Sequence, residues 1–173
     1  TPFKLVGSGT DSGNPVISYC WEQSDDATTV SSASSFPSGT KTNGPNYRSL
    51  RPVSVPYRYF PALQTVLGNL ISTTWETTST VARTLNFTLT GRDNVIAGGQ
   101  TGQDATVITV NRTVGPFDVN SQAAAGISWA QGSTQTITWT VNNTNTLVGS
   151  SINTLSSANA FTSYQRLSAP KNS

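Results

Sequence analysis

The positions of apolar and polar residues along this chain follow a period of two far more often than a period of 3.6. Thr80 to Thr90 shows it most cleanly. Val81, Arg83, Leu85, Phe87 and Leu89 fall on one face, and Thr84, Asn86, Thr88 and Thr90 on the other. That is the pattern of a half-buried strand, interrupted only by Arg83 near its start. Phe3 to Val6 reads as a first short strand, and Val16 to Gln23, rich in β-branched and aromatic residues, as a second. Between them the cluster Gly9-Thr10-Asp11-Ser12-Gly13-Asn14-Pro15 predicts a turn. Ser24 to Asn46 is polar and predicts a long surface loop. Tyr47 to Pro61 mixes arginines, prolines and aromatics, and its prolines restrict it to an edge strand or an extended crossing segment. Ala62 to Leu70 is the exception to the period of two: Leu63, Val66, Leu67 and Leu70 are spaced for one short helix, weakened towards its end by Gly68.

Arg92-Asp93-Asn94 and Ala97-Gly98-Gly99 predict a turn, and Ala105 to Val110 a further strand. Gly98-Gly99-Gln100-Thr101-Gly102 lacks the lysine and spacing of a phosphate loop and reads as a hairpin turn. Asn111 to Gly115 looks like a linker. The rhythm then restarts with Phe117-Asp118-Val119, Ile127 to Ala130 and Thr134 to Val141. Weaker signals follow at Leu147-Val148 and Ile152 to Leu155, with a last strand expected within Ala160 to Leu167. The predicted fold is all-β, with a first unit over residues 1–113 and a smaller one over 114–173, marginal in size for a core of its own.

Composition agrees. Charged residues are only 10 % of the 173 positions, against about a quarter in ordinary domains. Their place is taken by Ser, Thr, Asn and Gln, and of these Ser, Thr and Asn suit turns and strand surfaces better than helix interiors. The ten basic residues are scattered and the net charge is +2, so no electrostatic footprint for nucleic acid is present. No apolar run approaches the length of a membrane span. No leader pattern is visible at Thr1-Pro2-Phe3, and the absence of Met suggests an internal or processed piece of a longer exported polypeptide. Cys20, flanked by Tyr19 and Trp21, reads as a small buried apolar residue, since no internal disulfide is open to it. Trp21, Trp129 and Trp139 read as core residues, whereas Trp75 lies in a polar stretch.

Several runs together resemble a known arrangement. They are Thr1-Pro2-Phe3-Lys4-Leu5-Val6-Gly7-Ser8-Gly9-Thr10-Asp11 with Ile17-Ser18-Tyr19-Cys20-Trp21-Glu22-Gln23, then Gly44-Pro45-Asn46-Tyr47-Arg48-Ser49 and Arg58-Tyr59-Phe60-Pro61. Leu85 to Asn94, ahead of Gly98-Gly99, belongs to the same set. These are similar to a cadherin-like or PKD-like β-sandwich. Gly115-Pro116-Phe117, Trp129, Gly132-Ser133 and Gln135-Thr136-Ile137-Thr138-Trp139 look like the opening of a small Ig-like sandwich. The pairing resembles the region downstream of the catalytic domain in secreted bacterial reprolysin-like zinc metallopeptidases. It covers residues 1 to about 145, weakening after Val148. The resemblance implies two consecutive β-sandwich units and an accessory role beside a separate catalytic domain. The family's acidic turn reads Asp11-Ser12-Gly13-Asn14-Pro15 here, so its calcium role does not carry over directly.

Histidine is absent. A Ser-His-Asp triad, a Cys-His pair and an HExxH zinc motif are therefore excluded from this chain. Paired carboxylates remain, but most acidic residues sit in predicted turns, where Asp caps backbone. Calcium suits such loops: Asp11, Glu22, Asp25 and Asp104 are the candidate ligands, and turn capping explains the aspartates equally well. A candidate ligand-binding strip comprises Tyr47, Arg48, Arg51, Tyr57, Arg58 and Trp75, whose rings and guanidinium groups offer stacking faces and bidentate donors. The favoured reading of the same residues is an extended crossover whose rings plug the edge of the sandwich.

The function expected is a non-catalytic accessory, spacer or docking region of a secreted or cell-surface protein, with a metallopeptidase as the parent. Its partners would be other domains of the same polypeptide and a cell-surface polymer or protein, with no nucleic acid and no membrane insertion. An adhesive or structural repeat module, and a carbohydrate-binding module, are the alternatives. An HExxH motif upstream would select the first.

Overall fold

Leu5, Trp21, Phe60, Leu85, Phe87 and Leu89 come from four separate strands and meet in one core. They do so in a computed structural model that describes residues 1–13, 16–27, 35–121 and 124–146, and the backbone of the strands at 151–155 and 164–168. Among the described residues the chain is all-β with one short α-helix, and it divides into two compact units, Thr1–Arg112 and Thr113–Ser173.

The first unit holds two antiparallel sheets. β1 (Phe3–Val6) pairs with β3 (Tyr57–Phe60), Phe3 opposite Phe60 and Leu5 opposite Arg58. β2 (Ser18–Gln23), β4 (Arg83–Arg92) and β5 (Thr101–Val110) form the other, in that order. The alternation read from Thr80 to Thr90 is realised in β4, where Arg83, Leu85, Phe87 and Leu89 are buried. The two sheets meet through rings: Phe60 packs on Phe87 with centroids 4.7 Å apart, and Phe3 and Tyr47 complete the cluster. Offset and edge-on ring pairs of this kind each add about 1 kcal/mol beyond the area they bury.

Pairing also defines which side chains of the Tyr47–Pro61 segment turn inward. Val53 bridges Tyr19 on the free side of β2, with both backbone bonds made. In β3, Arg58 and Phe60 share the face of their partners Leu5 and Phe3, while Tyr57 and Tyr59 share the face of Lys4, whose ammonium lies 4.1 Å from the Tyr57 ring centroid. The helix α1 spans Leu63–Leu67, shorter than Ala62 to Leu70, and buries none of its residues. On its apolar stripe Leu67 is 70 % exposed.

In the second unit β6 (Asp118–Val119) pairs with β7 (Trp139–Thr140), and β8 (Ser151–Leu155) with β9 (Tyr164–Ser168). Ile127 to Ala130 and the first part of Thr134 to Val141 are not strands. Trp129 and Trp139, expected in a core, are 52 % and 37 % exposed, because no facing sheet covers them among the described residues. The expected strand at Leu147-Val148, residues 160–163 of the last expected strand, and parts of the turn at 9–15 and the loop at 24–46 lie outside the described residues.

Candidate functional site

The segments 46–48 and 75–77 run antiparallel, with Arg48 N–H bonded to the Trp75 carbonyl and Thr77 N–H to the Asn46 carbonyl. This brings Glu76 beside Tyr47 and under Arg58. One Glu76 oxygen accepts from Arg58 Nη2 at 2.6 Å and the other from the Ala62 N–H at 2.8 Å. The same guanidinium donates to the carbonyls of Trp21 and Arg48 and lies 4.5 Å from the Phe60 ring centroid. Both side chains are more than nine-tenths buried. A paired, hydrogen-bonded charge is the form in which an interior tolerates ions.

Arg83, the interruption in the β4 stripe, is buried in the same manner, with Nη1 and Nη2 on the carbonyls of Lys41 and Gly44. Asn46 is fully buried: its side-chain oxygen accepts from the Ser38 N–H, its amide donates to Ser38 O, and Gln23 Oε1 accepts from the backbone N–H of both Asn46 and Tyr47. The sequence marks Glu76 only as one of the carboxylates, and Asn46 and Gln23 only as members of the resemblance motifs, with no anchoring role foreseen for any of the three. Arg83 carried the one available signal, a charge on an otherwise apolar face.

The six residues of the expected strip separate into three places. Tyr47 and Arg58 turn inward and are structural; burial, and then the nearby Glu76 charge, push the Tyr47 phenol well above its ordinary range. Arg51 and Tyr57 border an apolar groove of about 270 Å³, walled by Leu50, Val53, Val55 and Leu63. Cys20 lies in it, its thiol donating to the Leu50 carbonyl at 3.3 Å. Burial first, and Glu22 second, raise the Cys20 pKa, which holds it as an unreactive thiol. Arg48 and Trp75 come together at the surface: the guanidinium carbon is 5.9 Å from the indole centroid, and Phe36 meets Trp75 edge-on at 5.5 Å. Phe36 and Trp75 are 45 % and 48 % exposed, so this cation-and-ring platform faces solvent.

The four candidate calcium ligands are not gathered. Among the described residues no group of three or more His, Cys, Asp or Glu stands close enough to hold an ion. Glu22 pairs across to Thr88 and then Ala105, on the opposite face of the sheet from Asp104, which is opposite Leu89. Asp25 accepts from the backbone and side-chain amides of Asn86, and from Gln23. Asp11 accepts the Gly13 N–H and lines a polar hollow beside Asp93 and Arg92, where a cation would meet the guanidinium charge. Asp93 caps its own turn through Val95 and Gln100 N–H. Turn capping accounts for Asp11 and Asp93, and the long-range bonds to Asn86 account for Asp25.

Comparison with protein-family models, with curated proteins and with solved structures returned no match to this chain.

Proposed function

We propose that the chain is a non-catalytic accessory region of a secreted or cell-surface protein, a metallopeptidase by the resemblance above, which spaces or docks the other domains. The observation that supports this most is where the charge goes. Arg58, Glu76 and Arg83 are hydrogen-bonded to one another or to backbone groups, and Asp25 to the backbone and side chain of Asn86 and to Gln23. Groups committed in that way rigidify a scaffold and are not poised to transfer protons. The test is deletion of this region from its parent polypeptide. Turnover of a small soluble substrate should persist per folded molecule, while stability or retention on a polymeric substrate falls. Loss of small-substrate turnover, or hydrolysis by the isolated chain, would refute the reading.

A second reading has its own observation. The Phe36–Trp75–Arg48 platform offers an exposed indole and a cation, the elements of stacking recognition of sugars or peptides. Pull-down on insoluble polysaccharides with wild type, Trp75→Ala and Tyr57→Ala separates the two. Binding lost in the Trp75 variant favours the platform; no binding by any of them ends it.

A further inference from the structure

β5 is the outer strand of its sheet, and among the described residues no strand lies on its far side. Its pairing with β4 runs without a break from Thr101 opposite Arg92 to Val110 opposite Arg83. It contains no proline, no lysine and no bulge, the usual devices that keep a sheet edge from pairing with another chain. Asp104 is the one charge in the strand.

The ladder identifies which backbone groups of β5 point away from β4. Tyr19 turns both its N–H and its carbonyl to Val53, away from β4. Antiparallel alternation then directs Gly102, Asp104, Thr106, Ile108 and Val110 of β5 towards β4. Gln103, Ala105, Val107 and Thr109 present their N–H and carbonyl groups outward. At the middle of this row Asp104 Oδ1 accepts the Ala105 N–H at 2.8 Å.

We propose that the outer edge of β5 is a pairing surface for the same strand of a second copy of this chain, and that Asp104 holds it closed by occupying the Ala105 N–H. The occupant follows from self-complementarity. An antiparallel pair centred on Thr106 sets Ala105 opposite Val107 and Gln103 opposite Thr109 of the second copy. It sets Asp104 opposite Ile108, so the two like charges do not face each other. Val107, 58 % exposed, would find an apolar neighbour across the strand. In that register the Ala105 N–H is the donor for the Val107 carbonyl of the second copy, and Asp104 already holds it.

Sedimentation equilibrium of the full chain tests this. Asp104→Ala should dimerise at least about tenfold more tightly than wild type, a difference worth about 1.4 kcal/mol. Adding Val107→Lys, which puts a charge on the pairing edge, should return D104A to the wild-type mass. Hydrogen exchange of the wild type gives a second, independent measure: the Ala105 amide should exchange about tenfold or more slowly than those of Gln103, Val107 and Thr109. Equal dimerisation of wild type and D104A, a D104A dimer indifferent to Val107→Lys, or an Ala105 amide as fast as that of Val107 would each overturn the proposal.

Discussion

Arg58 Nη2 and Glu76 Oε1 stand 2.6 Å apart inside the first unit, and the second Glu76 oxygen accepts the Ala62 N–H. The pair joins β3 to the 75–77 segment and holds the start of α1. Replacing Glu76 with Gln removes the charge while Arg58 stays buried. Breaking one partner of a buried pair costs about 3–5 kcal/mol. Urea unfolding should show that loss, and the double change Arg58→Met with Glu76→Leu should recover part of it, because neither charge is then stranded. A loss below about 1 kcal/mol in the Gln variant would mean that water reaches the guanidinium and the pair is not structural.

Asn46 should be as intolerant of a change that preserves its shape. Its amide nitrogen donates to Ser38 O and to Ser79 Oγ while its oxygen accepts from Ser38 N–H. Asn46→Asp turns a donor into an acceptor facing a carbonyl and buries a charge. The expected cost is about 2 kcal/mol or more, read as a lower thermal midpoint at neutral pH that partly recovers in acid, where the new carboxyl is protonated.

Core and surface apolar residues should separate sharply. Phe87 is fully buried among Phe3, Tyr47 and Phe60. Phe87→Ala should cost about 3–5 kcal/mol, the sum of lost transfer energy and the cavity left behind. Leu67, on the exposed stripe of α1, should change stability by no more than about 0.5 kcal/mol when replaced by Ser. Chemical denaturation of the two variants side by side checks both figures.

Alkaline pH should destabilise the fold through Tyr47. Its folded pKa is raised by burial, so the folded state keeps a proton that the unfolded chain gives up. The stability it contributes is whole below the ordinary tyrosine pKa of about 10 and declines as pH rises beyond it towards the folded value. Urea midpoints measured on either side of pH 10 should fall for wild type, and fall less for Tyr47→Phe, which cannot ionise. Identical slopes would place the alkaline loss elsewhere.

Much of this architecture is legible in the sequence because it is local. The alternation of Leu85, Phe87 and Leu89, the aromatic run at Tyr19 to Trp21 and the glycine and asparagine turn between β4 and β5 are each fixed within a few residues, where the period of two and the left-handed φ at Asn94 and Gly98 act directly. The all-β class follows from them.

Face and partner are not local. Tyr57-Arg58-Tyr59-Phe60 read alone sets tyrosines against an arginine, and the arginine would be placed outside. Register with β1 reverses this, since Arg58 shares a face with Leu5 and is admitted to the interior only because Glu76, eighteen positions on, supplies its counter-charge there. Trp129 and Trp139 failed as core residues for the complementary reason: apolar character demands a facing layer, and only tertiary structure says whether one exists. The sequence by itself determined the all-β class and the main strands of the first unit, whereas Ile127 to Ala130 and most of Thr134 to Val141 have a strand pattern and no strand. Long-range pairing decided which side chains are buried, which charges are neutralised and which strand, β5, forms the edge of its sheet among the described residues, because burial and charge compensation are properties of contacts between segments and not of any segment alone.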